Sequence, residues 1–554
     1  MTSREEKIAA FRALYGENRP VSGDYDRSLA AKCANGTFVG KKRGSVTVWR
    51  GIPYARAPVG ELRWKAPLPP EDNSGVYEAY YNGKTPIQTI LDSERASYYP
   101  QGEDCLYLNV WSNTSAGENK PVMVFFHGGS YGWGGTADPL YDGLNLVKAH
   151  PDVVLVTVGY RTGLMGFVDF SSVRGGEEFP DAPNLGILDE IEALRWVRKN
   201  IPAFGGDGEL VTIFGESAGG GSVSLLPVIP EARGLFRRVI AQSGSVALTF
   251  SRKECGEFTR RLMRESGAED MADLLRLSES ELGAVNEKIN DFNNFPQRGG
   301  ALIPLDPYAP YMDGETAGID LLIGTNADEM NYWIGELGGI VPFKLGMPVK
   351  FENDLMLFSP EDKKRAESFV KSRGTRKIWA IAEFYNELIF RLPAIRQAEG
   401  HAANGGRVYM YYWTKPSSIP FRRACHAVEL AYVFGNLGET IYTGEGVDES
   451  LSETAMAAWV QFAKTGDPGT PALSWEPYSI AAHRPTMVLS SSPHTEREPL
   501  EEQRRALEPL LSYKINGSYA SVSYNVPSVR KGAAIAALAA AGLAAAVFGL
   551  FKKK

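Results

Sequence analysis

VTIFGESAGGGSV (211–223) reads as a buried strand, a tight turn and the opening of a helix. The apolar run VTIF ends at GESAG (215–219), which fits the pattern G-x-S-x-G. A serine on so sharp a strand-to-helix turn is thrust out above the end of a sheet, and the flanking Gly215 and Gly219 leave room for the turn. Read alone, the five residues also fit a Gly-rich turn with a surface serine, so the context on either side has to decide.

That context is a succession of short apolar runs. PVMVFF (121–126), DVVLVTVGY (152–160), LLIGT (321–325) and RVYMYYW (407–413) each read as strands. ILDEIEALRWVRKNI (187–201) places Ile187, Ile191, Leu194, Trp196, Val197 and Ile201 near helical spacing. Wholly apolar strands separated by helices predict a mostly parallel sheet covered on both faces. Segments 251–290 and 360–402 read as helix-rich. With no linker inside 1–510, the expectation is one large α/β domain.

A second loop supports a chemical reading of Ser217. HGGSY (127–131) follows the strand PVMVFF directly. Attack on an ester carbonyl puts negative charge on its oxygen, and backbone N–H groups must already point at that place. The amides of Gly129, Ser130 and Ala218 are the candidates. A serine nucleophile also needs a base, most often histidine. Of six histidines, His127 belongs to the loop before the serine. In this fold the order is Ser, then acid, then His, which leaves His401, His426, His483 and His494. His426, in RACHAVELAYVFGN, is favoured by its mixed apolar setting. The acid should emerge just past a buried strand between Ser217 and His426. LLIGTNADEMN offers Asp328 and Glu329 there, and the residues alone do not choose between them.

These stretches together resemble the type-B carboxylesterases, the group that includes cholinesterases and bacterial p-nitrobenzyl esterases. The resemblance spans about residues 36 to 490. It is carried by GIPYARAPVGELRW (51–64), EDCLYLNVW (103–111), HGGSY, NLGILDEIEALRWVRKNIPAFGGD (184–207), VTIFGESAGGGSV, GLFRRVIAQSGS (234–245), GTNADE (324–329) and HAVELAYVFGNL (426–437). It implies an α/β-hydrolase fold and a serine carboxylesterase that cleaves carboxylic esters through an acyl-enzyme. It implies Ser217 as nucleophile, His426 as base, Glu329 as the acid, and Gly129, Ser130 and Ala218 as oxyanion donors. Three departures accompany it. Ser130 stands where a third Gly is usual. Ala427 follows His426 where Gly is usual. The partner that often pairs with the cysteine of EDCL is missing, since the corresponding stretch reads TPIQ (85–88), so Cys105 is expected to be unpaired. Two rival functions stand beside this one: an amidase or thioesterase that uses the same residues, and a non-catalytic cholinesterase-like binding protein on the same fold, which usually lacks the serine.

Composition bounds the partners. The chain has 554 residues, 44% of them hydrophobic, and a formal charge of −7. No basic block lies inside the body, so nothing favours nucleic acid. Four scattered cysteines without a C-x-x-C pair give no zinc signal, and the chemistry asks for no metal or cofactor. The N-terminus lacks a signal-peptide core, which predicts a cytoplasmic catalytic domain with a small ester as substrate.

The tail differs from the body. It is read as a polar linker over 513–529 after a hydrolase domain of 1–512, then an apolar helix over 530–554. GAAIAALAAAGLAAAVFGLF (532–551) is uncharged and lies between Arg530-Lys531 and Lys552-Lys553-Lys554. Its length matches a bilayer span. Its seven Ile, Leu, Val and Phe residues give only about −2 to −4 kcal/mol on the insertion scale. The expectation is a span or membrane attachment, against an Ala-rich helix packed on the body or lying on the membrane surface.

Overall fold

The computed structural model describes residue 9 and residues 11–88, 100–289, 294–336 and 339–515. The tail 516–554, with the expected apolar helix, lies outside the described residues.

Eleven strands form the main sheet: β1 (Lys41–Arg43), β2 (Val46–Pro53), β3 (Tyr107–Ser112), β4 (Lys120–Phe126), β5 (Val154–Val158), β6 (Gly206–Glu216), β7 (Arg238–Gln242), β8 (Asp320–Asn326), β9 (Val408–Trp413), β10 (Pro485–Leu489) and β11 (His494–Arg497). Their spatial order is β1-β2-β3-β5-β4-β6-β7-β8-β9-β10-β11. From β5 to β10 every pairing is parallel. The antiparallel pairings are confined to the two edges. Ala30–Cys33, Gly36–Val39 and Val76–Glu78 make a separate small sheet.

Parallel central strands have helices on both faces, which explains why their sequences are apolar throughout instead of alternating. All five residues of β5 are buried, as are the last six of β6. Helix α1 (Leu185–Asn200) turns Ile187, Ile191, Leu194 and Val197 inward, the spacing expected of a helix covering a sheet. Helix α2 (Ala218–Leu225) follows β6 after the single residue Ser217 and is buried along its whole length. The strands expected from the sequence all form, with ends shifted by up to five residues. Segments 252–289 and 360–403 are helical, as expected.

The parallel strands all point their carboxyl ends to one side, where an open α/β sheet binds its ligands. Loops leaving β4, β6, β7, β8 and β9 therefore meet above one edge of the core. One further helix, α3 (Ile340–Leu355), lies beyond the loop that leaves β8.

Candidate active site

Ser217 sits between β6 and α2 with φ 59° and ψ −119°, a backbone region that a non-glycine residue occupies only under strain. The strain is held by the surroundings. The Ser217 amide donates to the Gln242 carbonyl at the end of β7 (2.9 Å), and the Ser217 carbonyl accepts from the Gly221 amide (2.9 Å). A Cβ on Gly219 would stand 2.0 Å from the Phe126 carbonyl oxygen, so the helix can approach β4 only because no side chain is there. The pattern G-x-S-x-G is thus a packing requirement here as well as a chemical one.

The HGGSY loop leaves β4 beside this elbow. Gly129 has φ 113°, and Ser130 and Tyr131 follow at φ 54° and 55°. Ser130 therefore takes the left-handed conformation that the missing glycine would have taken freely, at a cost of about 1–2 kcal/mol. The carbonyls of Gly129 and Tyr131 are fixed by the amides of Gly132 (2.9 Å) and Gly163 (2.7 Å). The amides of Gly129, Ser130 and Ala218 donate to no group among the described residues. His127, which opens the loop, stacks on Tyr160 (4.5 Å). Burial pushes its pKa down to about 4, so it braces the loop as a neutral ring.

On the far side of the elbow, the loop after β8 turns into a short 3₁₀ segment at Glu329–Tyr332 and buries Glu329 completely. The Glu329 carboxylate accepts from the Asn326 amide and the Ser243 hydroxyl through Oε1, both at 2.7 Å. His426 Nδ1 lies 2.6 Å from its Oε2. A carboxylate accepts, so Nδ1 carries the imidazole proton and Nε2 keeps a free lone pair. Asp328 faces elsewhere: it meets the Arg423 guanidinium (3.3 Å) and the Ala424 amide (3.4 Å). Of the two neighbouring acids that the sequence left open, Glu329 turns toward His426 and Asp328 turns away. Ala427, at the usual glycine position, is held at φ 65°. His401 binds Thr316 and the Ile319 carbonyl, away from these loops, and His494 is exposed on β11. His483 stands in the turn before β10.

Two further acids were not singled out from the sequence. Glu216, the residue before Ser217, is buried with its Oε1 3.1 Å from His426 Nε2. The contact is misaligned for a hydrogen bond, and neither atom has an aligned partner among the described residues, Ser217 included. Such bonds often tighten only when substrate is bound. Burial pushes the Glu216 pKa up, with Glu429 and Glu329 adding to the rise. Burial alone would lower the His426 pKa, but the carboxylates of Glu216 and Glu329 outweigh it and raise it overall. Glu429 is satisfied by Gln242 Nε2 (3.0 Å) and Asn326 Nδ2 (2.6 Å). It thereby links the strand end that holds the elbow to the loop that holds Glu329. A charged residue between an apolar strand and the serine was the signal available for Glu216. Around the imidazole stand the rings of Phe390 (5.0 Å), Tyr332 (5.7 Å) and Trp333 (5.9 Å).

All four cysteines are free and buried, Cys105 among them as expected. Among the described residues no cluster could hold a metal ion.

A mostly parallel sheet, a strained serine at a strand-to-helix elbow and a histidine–carboxylate pair on later loops define a serine hydrolase of the α/β-hydrolase class. The Carboxylesterase family profile matches residues 27–507, and the chain belongs to that family. It is 36% identical to the para-nitrobenzyl esterase of Bacillus subtilis (strain 168), over 86% of this chain and 97% of the relative. It is 34% identical to carboxylesterase 3B of Mus musculus, over 76% and 79% of the two chains. Among solved structures, a Geobacillus stearothermophilus carboxylesterase superposes with a TM-score of 0.77 at 34% identity, covering 86% of this chain and 99% of that one. The protein is accordingly a carboxylic ester hydrolase.

Proposed function

We propose that Ser217, His426 and Glu329 carry out the hydrolysis in two acyl-transfer steps. The observation that supports this most is the 2.6 Å contact of His426 Nδ1 with Glu329, on loops that flank the strained Ser217 elbow. Ser217 Oγ attacks the ester carbonyl as His426 Nε2 takes its proton. Glu329 holds the imidazole tautomer and stabilises the imidazolium. The carbonyl electrons move onto oxygen, where the amides of Gly129, Ser130 and Ala218 receive them. Each such donor is worth about 10²–10³ in turnover. Collapse breaks the bond to the alcohol, which leaves with the proton from His426. Water then repeats the sequence on the acyl-enzyme and releases the acid. The aromatic wall of Phe390, Tyr332 and Trp333 favours esters with an apolar group beside the imidazole.

Replacement of Ser217 by Ala is expected to lower ester hydrolysis by roughly 10⁴–10⁶ and to abolish covalent labelling by an organophosphonate. Labelling at the wild-type level would overturn the assignment of the nucleophile.

The tail has a separate role in this reading. The catalytic domain, expected to end at 512, runs on through the helix Leu511–Ile515, because Tyr513 packs on the body; the linker then extends to 529, and 530–554 is a membrane attachment. Twenty uncharged residues between cationic flanks support it. Among the described residues no helix is long and apolar enough to cross a membrane. Cell fractionation with and without 530–554 tests the attachment: the full chain should pellet with membranes and the shortened chain should not. A full chain found wholly in the soluble fraction would sink it.

A further inference from the structure

Helix α3 is apolar on both faces. Its inner face buries Phe343, Met347, Phe351 and Leu355, together with Lys350 and Asp354, paired at 2.8 Å, and the Tyr385 hydroxyl donates to Asp354. Its outer face shows Val341, Leu345 and Val349, one residue per turn, beside Lys344. Exposed Glu352 and Asn353 separate them from Met356 and Leu357 just past the helix end. Met356 is 73% exposed and Val341 61%. The outward face of a helix on a water-soluble body is normally polar. A group of exposed apolar side chains on one outer surface marks a contact site.

Two neighbours say what the contact is with. Exposed Phe421, stacked on Trp379 (6.5 Å), extends the group toward the active site. Its carbonyl accepts from Asn331, two residues past Glu329, and it precedes His426 by five. Lys344 lies over the Phe421 ring (6.0 Å) and Arg423 over Trp379 (5.1 Å), so cations edge the apolar group. At the other end of α3 lie the last described residues of the chain. Tyr513 packs on Phe358 (4.6 Å) and bonds to Ser359 and Asp362. The chain then runs on toward the uncharged segment 532–551. A tether starting beside Leu357 brings this edge of the body, ahead of any other, to the surface that the segment enters.

We propose that the outer face of α3, with Met356, Leu357 and Phe421, is the surface on which the enzyme lies against a lipid bilayer, next to the loops that carry Glu329 and His426. The proposal rests on the membrane reading of the tail and assigns the body a lipid contact of its own. Apolar side chains enter the acyl boundary while Lys344 and Arg423 reach the head groups.

The test uses the full-length chain with Met356→Cys carrying a polarity-sensitive dye, since the native cysteines are buried. A control dye goes on Glu231→Cys, which is exposed near the start of β7, at the opposite end of the sheet. With vesicles of phosphatidylcholine and phosphatidylglycerol, the dye at 356 should shift to the blue and be quenched by spin-labelled lipid, and the dye at 231 should do neither. The triple variant V341S/L345S/V349S should hydrolyse soluble p-nitrophenyl acetate as the wild type does. It should lose about tenfold on a long-chain ester held in vesicles.

A dye at 356 that is already blue without lipid at every dilution means the tail covers the apolar group, and overturns the proposal. Blue emission without lipid that fades on dilution means a second copy covers it, and overturns the proposal too. A full chain that floats with vesicles while the dye at 356 stays unshifted leaves the tail as anchor and removes the lipid contact of α3. A lipid-induced shift that survives removal of 530–554 supports the contact as the body's own, whatever the tail does.

Discussion

The serine elbow and the loops that bring acid and base to it are built on different principles. The elbow is steric. Ser217 is pinned at positive φ between β6 and α2, Gly219 admits the Phe126 carbonyl, and the main-chain bonds to Gln242 and Gly221 lock it. The acid and base loops are electrostatic. Glu329 is buried whole and held by three hydrogen-bond donors, one of them the imidazole. A steric site is fixed by what must be absent, and an electrostatic one by which side chain turns inward. Damage to the two should therefore look different.

The largest effect is expected on the electrostatic side. Glu329→Gln keeps the shape but can present an N–H to His426 Nδ1, which favours the wrong tautomer. Turnover should fall by about 10⁴ with the melting temperature little changed. Steady-state kinetics beside a thermal melt checks both parts. A loss under tenfold would mean that Glu329 does not orient the base.

Gly219→Ala attacks the steric side. A methyl 2.0 Å from the Phe126 oxygen must push α2 away from β4. That shift moves Ser217 and the Ala218 amide relative to the HGGSY loop, and misplacement of about 1 Å costs on the order of 10² in rate. Here stability should fall together with activity, seen as a lower melting temperature and a lower labelling rate. Full activity with an unchanged melt would show that the elbow tolerates the methyl, against the steric reading.

The same contrast decides what could be read without a structure. Steric devices leave traces in a single sequence, because few arrangements besides a tight elbow and a covered sheet call for glycines at fixed offsets and wholly apolar strands. The elbow, the apolar strands β4, β5 and β6, and the loop of Gly129 and Ser130 were legible in that way. Asp328 and Glu329 were not separable, since adjacent residues after a strand differ only in which way the turn throws them. Only the resemblance pointed to Glu329, and the structure shows Asp328 turned to Arg423 and Ala424 instead. His426 was favoured among four histidines by its mixed apolar setting, but only the resemblance named it as the base. Glu216 was missed although its charge between an apolar strand and the serine was a signal, and Glu429 because its partners Gln242 and Asn326 lie far off in sequence.

Glu216 is where the two regions touch, and it gives the finest test of them. It belongs to the elbow by position and to the electrostatic group by contact, 3.1 Å from His426 Nε2. The base must be neutral to accept the serine proton, so kcat/KM rises with pH through the His426 pKa. The carboxylates of Glu216 and Glu329 raise that pKa against the pull of burial, with Glu429 adding to them. Glu216→Gln removes one negative charge and nothing else of size. The rise of kcat/KM should then move to lower pH, by about one unit for a charge at this range. Activity below neutral pH would increase while the plateau stays the same. Burial also pushes Glu216 toward its protonated form. If it holds its proton throughout the rise, the profile of Glu216→Gln will coincide with that of the wild type. The histidine is then tuned by Glu329 and Glu429, and the elbow adds geometry to the site but no charge.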